Sequence, residues 1–581
     1  MANRLQRPAL AVAALVAAVT LLAPSAALGH ATLEGTSPPR GATVKQQPSA
    51  VVFRFSEPVE GNFGAVRVYG ANGERVDEGD AFHPGGDGPK LGVHLKPGLA
   101  DGSYTASYRV VSADGHIVSS GFVFSIGRAG QAPKETVAEL VAGSSSGTGA
   151  EIGMGIARGV QYAALAVAFG ALAFLLLAWW PARRLVGDGG ERWQRADFAF
   201  GHRLRTVLLA AALAGAISAA AAVVFEAAQA AGTSAGSALD STILREELGT
   251  RFGTVWAAAA LAWALLGLGV VPALRRPTPW RLAPLFVPLA FIALEPALSG
   301  HPSTQSPVAV LFPANVLHVT AMAVWVGGLA SLVLVLPAAT RELETADRSR
   351  LIAATLARFS PVALVCVAVV LLSGVGQAYA YVRHLDDLLD TAYGRAVLVK
   401  FVLLVGALIP LGAYNRYRSV PRLERIAAGG EAPGRAGLLL RRALRGEVAL
   451  IVVVLGVTAA LAGYAPATAV QSGPFSSHIA LGPAELEITV DPARVGSNQV
   501  HLYLFDATSG AQFSPIKELD ARATLPEKSI GPLTLEPRRS GPDHYTVQGA
   551  LLGVAGDWQL EVTVRISAFD EYTAEVEVPI R

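Results

Sequence analysis

Between Ile156 and Tyr464 the sequence holds about eight apolar segments of membrane-spanning length, centred on 156–180, 207–230, 255–271, 282–298, 312–336, 361–381, 396–414 and 448–464. Their loops differ in charge. The first, third, fifth and seventh carry Arg183, Arg184, Arg192, Arg195, Arg203 and Arg205; Arg275, Arg276 and Arg281; Arg341, Arg348, Arg350 and Arg358; and the run from Arg416 to Arg445. The even loops carry only Arg245, Arg251, Arg383 and Arg395, and the fourth, around His301, has neither Arg nor Lys. Positive loops stay in the cytoplasm, so odd loops are expected inside and even loops outside, which places both ends of an eight-span chain outside.

With 581 residues and only 16% charged, the chain is too apolar for a soluble protein of its size and too long for one domain. Basic residues cluster in loops and net charge is +2, so nothing points to nucleic acid. The single Cys366 excludes a disulfide framework or a Cys-x-x-Cys site, and methionine is confined to Met1, Met154 and Met322. Metal chemistry here must therefore rely on imidazole, carboxylate and amine. No Gly-x-x-x-x-Gly-Lys loop is present to support pumping by ATP.

Residues 1–29 carry Arg4 and Arg7, an apolar run and the small residues Ala27 and Gly29, the pattern of a cleaved export signal. Cleavage there makes His30 the mature amino terminus; the alternative is an uncleaved signal anchor. Residues 30–127 show short alternating strands (51–55, 65–69, 91–95, 104–111 and 122–126) divided by Asn72-Gly73, Gly85-Gly86, Asp101-Gly102 and Asp114-Gly115, which predicts a small β-sandwich or barrel. A Gly/Ser/Ala-rich linker follows over 128–151, then the transmembrane domain over 152–466. Residues 478–581 return to strand-like segments and predict a second, Ig-like β-sandwich. Its His478, His501 and His544 show no tight ligand spacing and read as surface or core residues.

An amino-terminal His30 offers its α-amine and ring Nδ1 to one metal, while Asp114 and His116, two apart at the edge of a strand, supply an oxygen and a second imidazole. That N,O set suits Cu(II). Without the cleavage, Asp-Gly-His is equally a hairpin turn followed by an exposed histidine.

His30, the Phe-Arg-Phe-Ser-Glu-Pro-Val stretch from Phe53 to Val59, and Ser-Ala-Asp-Gly-His from Ser112 to His116 resemble the bacterial copper-resistance family CopC across 30–127. The resemblance implies a cupredoxin-like barrel that binds Cu(II) through His30, Asp114 and His116, with Glu57 behind the metal. Some members add a methionine-rich Cu(I) site, which a domain without methionine cannot build; His83 and His94 read as exposed. The membrane block resembles the partner family CopD in Ser299-Gly300-His301, in Asn315 to Gly328 with His318 and Trp325, in Arg358-Phe359-Ser360, and in Tyr393-Gly394-Arg395 through Lys400 to Tyr414-Asn415-Arg416. A fused CopC/CopD arrangement is similar to YcnJ-type copper-uptake proteins, and the C-terminal part resembles the YtkA-like domain.

The resemblance implies capture of Cu(II) outside a bacterial inner or plasma membrane and import into the cytoplasm. Copper and the lipid membrane are the expected partners, with an extracytoplasmic copper chaperone as a further one. Inside the membrane, Glu295, His301 and His318, with Glu226 opposite, form a candidate relay of oxygen and imidazole for copper. His318 is expected about a turn and a half into its helix. The other reading of Glu226, Glu295 and Lys400 is that they snorkel from helix ends. Trp325, Gly327 and Gly328 read as packing residues. Two further functions stay open: an oxidase or monooxygenase on the amino-terminal histidine chelate, which Asp114 disfavours by closing the open metal position, and a membrane-anchored chaperone or sensor. No catalytic residue is expected.

Overall fold

The computed structural model describes residues 31, 33–39, 42–61, 65–112, 115, 117–127, 148–187, 189–305, 307–382, 385–432, 434–464, 475–491, 493–508, 513, 515–540 and 543–580. The export signal, most of the linker, His30, Asp114 and His116 lie outside them. The chain divides into two compact units, one made of the helical bundle and one containing both β-domains.

In the N-terminal domain, strands β1 (Leu33–Ser37), β3 (Ala50–Phe55) and β6 (Lys90–His94) form one sheet. The other is β2 (Thr43–Val44), β8 (Ile117–Ile126), β7 (Gly102–Ser112) and β4 (Val59–Glu60), with β5 (Val66–Gly70) also on β7. Alternation along β3 and β8 turns Phe53, Phe55, Phe122 and Phe124 inward, where Phe53 meets Tyr108 and Phe122 edge-on. One charge is buried at the rim: Asp77 accepts the Val68 N–H at 2.8 Å and Arg75 Nε at 2.9 Å. Asp77→Ala leaves that backbone amide without its acceptor. The expected cost is about 2 kcal/mol, or roughly thirtyfold faster hydrogen exchange at Val68. Exchange unchanged from wild type would show that the carboxylate does not hold β5.

The C-terminal domain is a two-sheet sandwich. One sheet orders β14 (Arg538–Arg539), β15 (His544–Leu552), β11 (Gly496–Asp506), β10 (Ala484–Asp491) and β9 (Phe475–Leu481). The other orders β13 (Ile530–Leu535), β12 (Glu518–Leu525), β16 (Gly556–Arg565) and β17 (Glu571–Ile580). Leu486, Ile488, Leu502 and Leu504 from the first face Ala521, Leu525, Trp558 and Val562 from the second. Within the same compact unit Val123 of β8 and Tyr503 of β11 bury against each other.

Among the described residues eight helices are long and apolar enough to cross a membrane: α1 (Thr148–Val186), α2 (Glu191–Ala231), α3 (Arg251–Arg275), α4 (Pro279–Leu298), α5 (Val308–Thr340), α6 (Thr345–Tyr381), α7 (Ala392–Ala428) and α8 (Gly434–Leu461). Helix α5 packs most extensively on α1 and α6. The α1–α5 crossing is a backbone contact: a Cβ on Gly170 would fall 2.5 Å from Gly327 Cα, and one on Gly327 would fall 2.7 Å from Gly170 Cα. Gly328 is pressed against the Phe359 ring of α6. Small residues permit these approaches, as the sequence predicts for Gly327 and Gly328.

The two halves of the bundle repeat one another. Gly170 follows Gln161 by nine residues, as Gly327 follows His318. Gln161 bonds Ser218 of α2, and His318 bonds Ser373 of α6. Helices α3 and α7 both start from a threonine cap, Thr250 accepting from the Gly253 N–H and Thr391 from the Gly394 N–H, each at 2.9 Å. In both, a short helix precedes the cap, Ser241–Gly249 or Asp387–Asp390, and leaves the capped glycine no room for a side chain.

Candidate functional site

At one end of the N-terminal domain, the start of β1 meets the end of β3 in the pair Leu33 and Phe55, and Glu57 follows two residues later, half-buried. Val59 then pairs with Ser112, the last residue of β7. The Gly115 N–H donates to Ser112 O at 2.9 Å, with Gly115 at φ +84°, and β8 resumes at Ile117. The β1 start, Glu57 and the β7–β8 connection therefore share one end of the domain. Asp114 and His116 themselves lie outside the described residues. The extra histidines have local partners: His83 Nδ1 lies 2.6 Å from Lys90 O, and His94 Nδ1 lies 2.6 Å from Asp80 Oδ2 with its ring stacked on Phe82. The His94 hydrogen bond holds the Asp80 carboxyl below the usual range.

In the bundle, α5 begins at Val308 rather than near residue 312, so His318 lies ten residues, about 15 Å, inside its helix. That is nearly three turns, deeper than the expected turn and a half. Asn315 and His318, one turn apart, face Gln377 and Ser373 on α6: Asn315 Nδ2 donates to Gln377 Oε1, and His318 Nδ1 lies 3.0 Å from Ser373 Oγ. The Ser373 hydroxyl donates its only proton to Val369 O at 2.5 Å. Its oxygen must then accept from His318 Nδ1–H, which fixes the tautomer and leaves the lone pair on Nε2, the state a metal ligand needs. Lys400 of α7 is near enough for its charge to act on the ring.

Glu295, near the end of α4, accepts the Ser299 hydroxyl at 3.0 Å. His301 follows in a short helical turn, half-buried, its ring 6.0 Å from that of Tyr381 at the end of α6. Glu226 and Glu295 are 3% and 1% exposed, so neither reaches out of the bundle to snorkel. Arg158 of α1 acts electrostatically on both carboxylates, and one turn on, Gln161 Oε1 accepts Ser218 Oγ and Trp263 Nε1. Among the described residues no three of His, Cys, Asp and Glu converge on a metal position. Glu226, Glu295, His301 and His318 are thus no single preformed ligand cluster: the two glutamates belong with Arg158, and His318 belongs to the α5–α6 ladder.

Sequence reasoning missed Arg158, which stands at the edge of an apolar run, and Glu447, a buried carboxylate that accepts Asn415 Nδ2 at 2.7 Å between α7 and α8. It also missed that His501 and His544, far apart in sequence, sit side by side. A polar residue repeating at helical spacing, such as Arg158 and Gln161, was the available signal for the first.

Comparison with known families matches three stretches: a CopC domain over 33–127, a copper resistance protein D-like N-terminal domain over 149–307, and copper resistance protein D over 353–461. The chain thus joins a CopC domain to copper resistance protein D domains in one polypeptide. Over nearly its full length it is similar to "Copper transport protein CutJ" of Bacillus subtilis, 29% identical over 565 residues, 94% of this chain and 95% of that one. Protein YobA of Escherichia coli is 33% identical over 113 residues, 19% of this chain and 91% of YobA. The crystal structure of CopC from Methylosinus trichosporium OB3b is 32% identical, covering 17% of this chain and 93% of that one with a TM-score of 0.15.

Proposed function

We propose that the chain captures Cu(II) on its N-terminal β-domain and carries copper through the bundle into the cytoplasm. His30 supplies its α-amine and Nδ1, Asp114 a carboxylate oxygen and His116 an imidazole, with Glu57 orienting the set. His301 and Glu295 stand at one end of the bundle, and His318 Nε2 is the first donor well inside it. The arginine-rich odd loops support a topology with both β-domains outside, where copper arrives free or from a chaperone. Cargo passage asks no bond-making of the protein, so no residue acts as a catalyst. The observation that carries this reading is the Ser373 contact, which presets a half-buried imidazole inside the bundle for metal rather than for a proton.

The first test is the mature amino terminus with the copper spectrum of the purified chain. Cleavage before His30, and a Cu(II) signal whose nitrogen couplings diminish in His116→Ala, are expected. Affinity should fall by roughly tenfold to a hundredfold. Cleavage elsewhere removes the amino-terminal chelate and sinks the capture step.

A further inference from the structure

The outer face of the C-terminal sheet should be wet, because Leu502, Leu504 and Val547 already turn the other face to the core. Instead it buries a polar group. His501 and Tyr503 project from β11 and His544 from β15, with Tyr503 directly opposite His544, and all three are buried. Tyr503 stacks on His544 at 4.2 Å and lies parallel to His501 at 6.1 Å. The imidazoles are nearly coplanar, 15° apart, with His501 Nδ1 3.0 Å from His544 Nε2. The carboxylates Glu487 and Asp543 are buried too, and both act on Tyr503.

We propose that His501 and His544 are a second metal site, taking a divalent ion that prefers imidazole, Cu(II) first by the affinity order. Two nitrogens bound at about 2.0 Å on adjacent corners of one ion stand about 2.9 Å apart, so the pair has the spacing of a chelate, and a turn of the two rings brings their in-line lone pairs to converge on an ion. In the metal-free pair one ring donates to the other. When metal enters, that ring moves its proton to its far nitrogen, and both facing lone pairs go to the ion without net proton release. No third His, Cys, Asp or Glu among the described residues completes the set. Tyr503 is the lid over both rings, and the buried carboxylates supply negative charge to offset the ion's.

The test is copper loading of the full-length chain carrying His30→Ala, Asp114→Ala, His116→Ala and His318→Ala, which removes the side-chain donors proposed elsewhere, with and without His501→Gln and His544→Gln. The fourfold variant is expected to retain one Cu(II) whose pulsed electron-spin echo shows two imidazoles, and the added pair of substitutions to remove it. A fourfold variant that holds no copper, or whose retained copper shows no imidazole coupling, overturns the proposal. The echo measurement needs no change at the pair, so it decides the matter even where the double variant fails to fold.

Discussion

Cells carrying His318→Ala are expected to lose copper accumulation while the protein stays in the membrane at normal level. The ring sits about 15 Å inside α5, and Ser373 holds its Nδ1 proton so that Nε2 faces outward from that bond as a lone pair. Removing a metal-ligating imidazole should slow uptake by at least the tenfold to hundredfold seen for groups behind a ligand, that is, roughly a hundredfold. Ser373→Ala gives a milder companion result. It keeps the imidazole but frees its tautomer, so uptake should fall by roughly tenfold. Radiolabelled or mass-spectrometric copper counting reads both. Normal uptake in His318→Ala with intact protein removes this residue from the path.

The second large effect is structural. Gly327→Leu should drive α1 and α5 apart, because even a Cβ there would overlap Ala166 O and press on Gly170 Cα. Neither neighbour is a flexible side-chain end; both are backbone. Overpacking a tight contact of this kind costs about 3 kcal/mol, and thermal unfolding in detergent should register it as a clearly lowered midpoint. Gly456→Ala is the control. Nothing lies within 4 Å of its added Cβ, so helix propensity should make that change neutral or stabilising by up to about 1 kcal/mol. A Gly327→Leu chain as stable as wild type would show that α1 and α5 do not depend on this crossing.

The gross architecture was open to reading because each span is a long apolar run and each odd loop is rich in arginine, signals that need no tertiary knowledge. Strands β3, β7 and β8 were legible from their alternation. Strand β12 was not, because its inward face is partly alanine at Ala521 and Ala523, too small to stand out. The site was legible only as a roll of residue types. His318 was marked, but its depth depended on where α5 begins, and its tautomer depended on Ser373, a residue brought up by helix packing. The glutamates were marked without Arg158, so they read as a relay rather than as a charge-compensated group. The His501 and His544 pair needed the β11–β15 register, which spacing along the chain does not contain.

The repeat within the bundle has a kinetic consequence. At the place where one half carries His318, the other carries Gln161, whose amide oxygen is already saturated by Ser218 and Trp263. The duplicated frame thus presents one imidazole rather than a facing pair, with the positive Lys400 close by. One nitrogen beside a like charge makes a shallow well. On the proposed path, dwell times in such a well would be short and an entering ion would be released onward rather than stored, which is the condition for throughput in any conducting path.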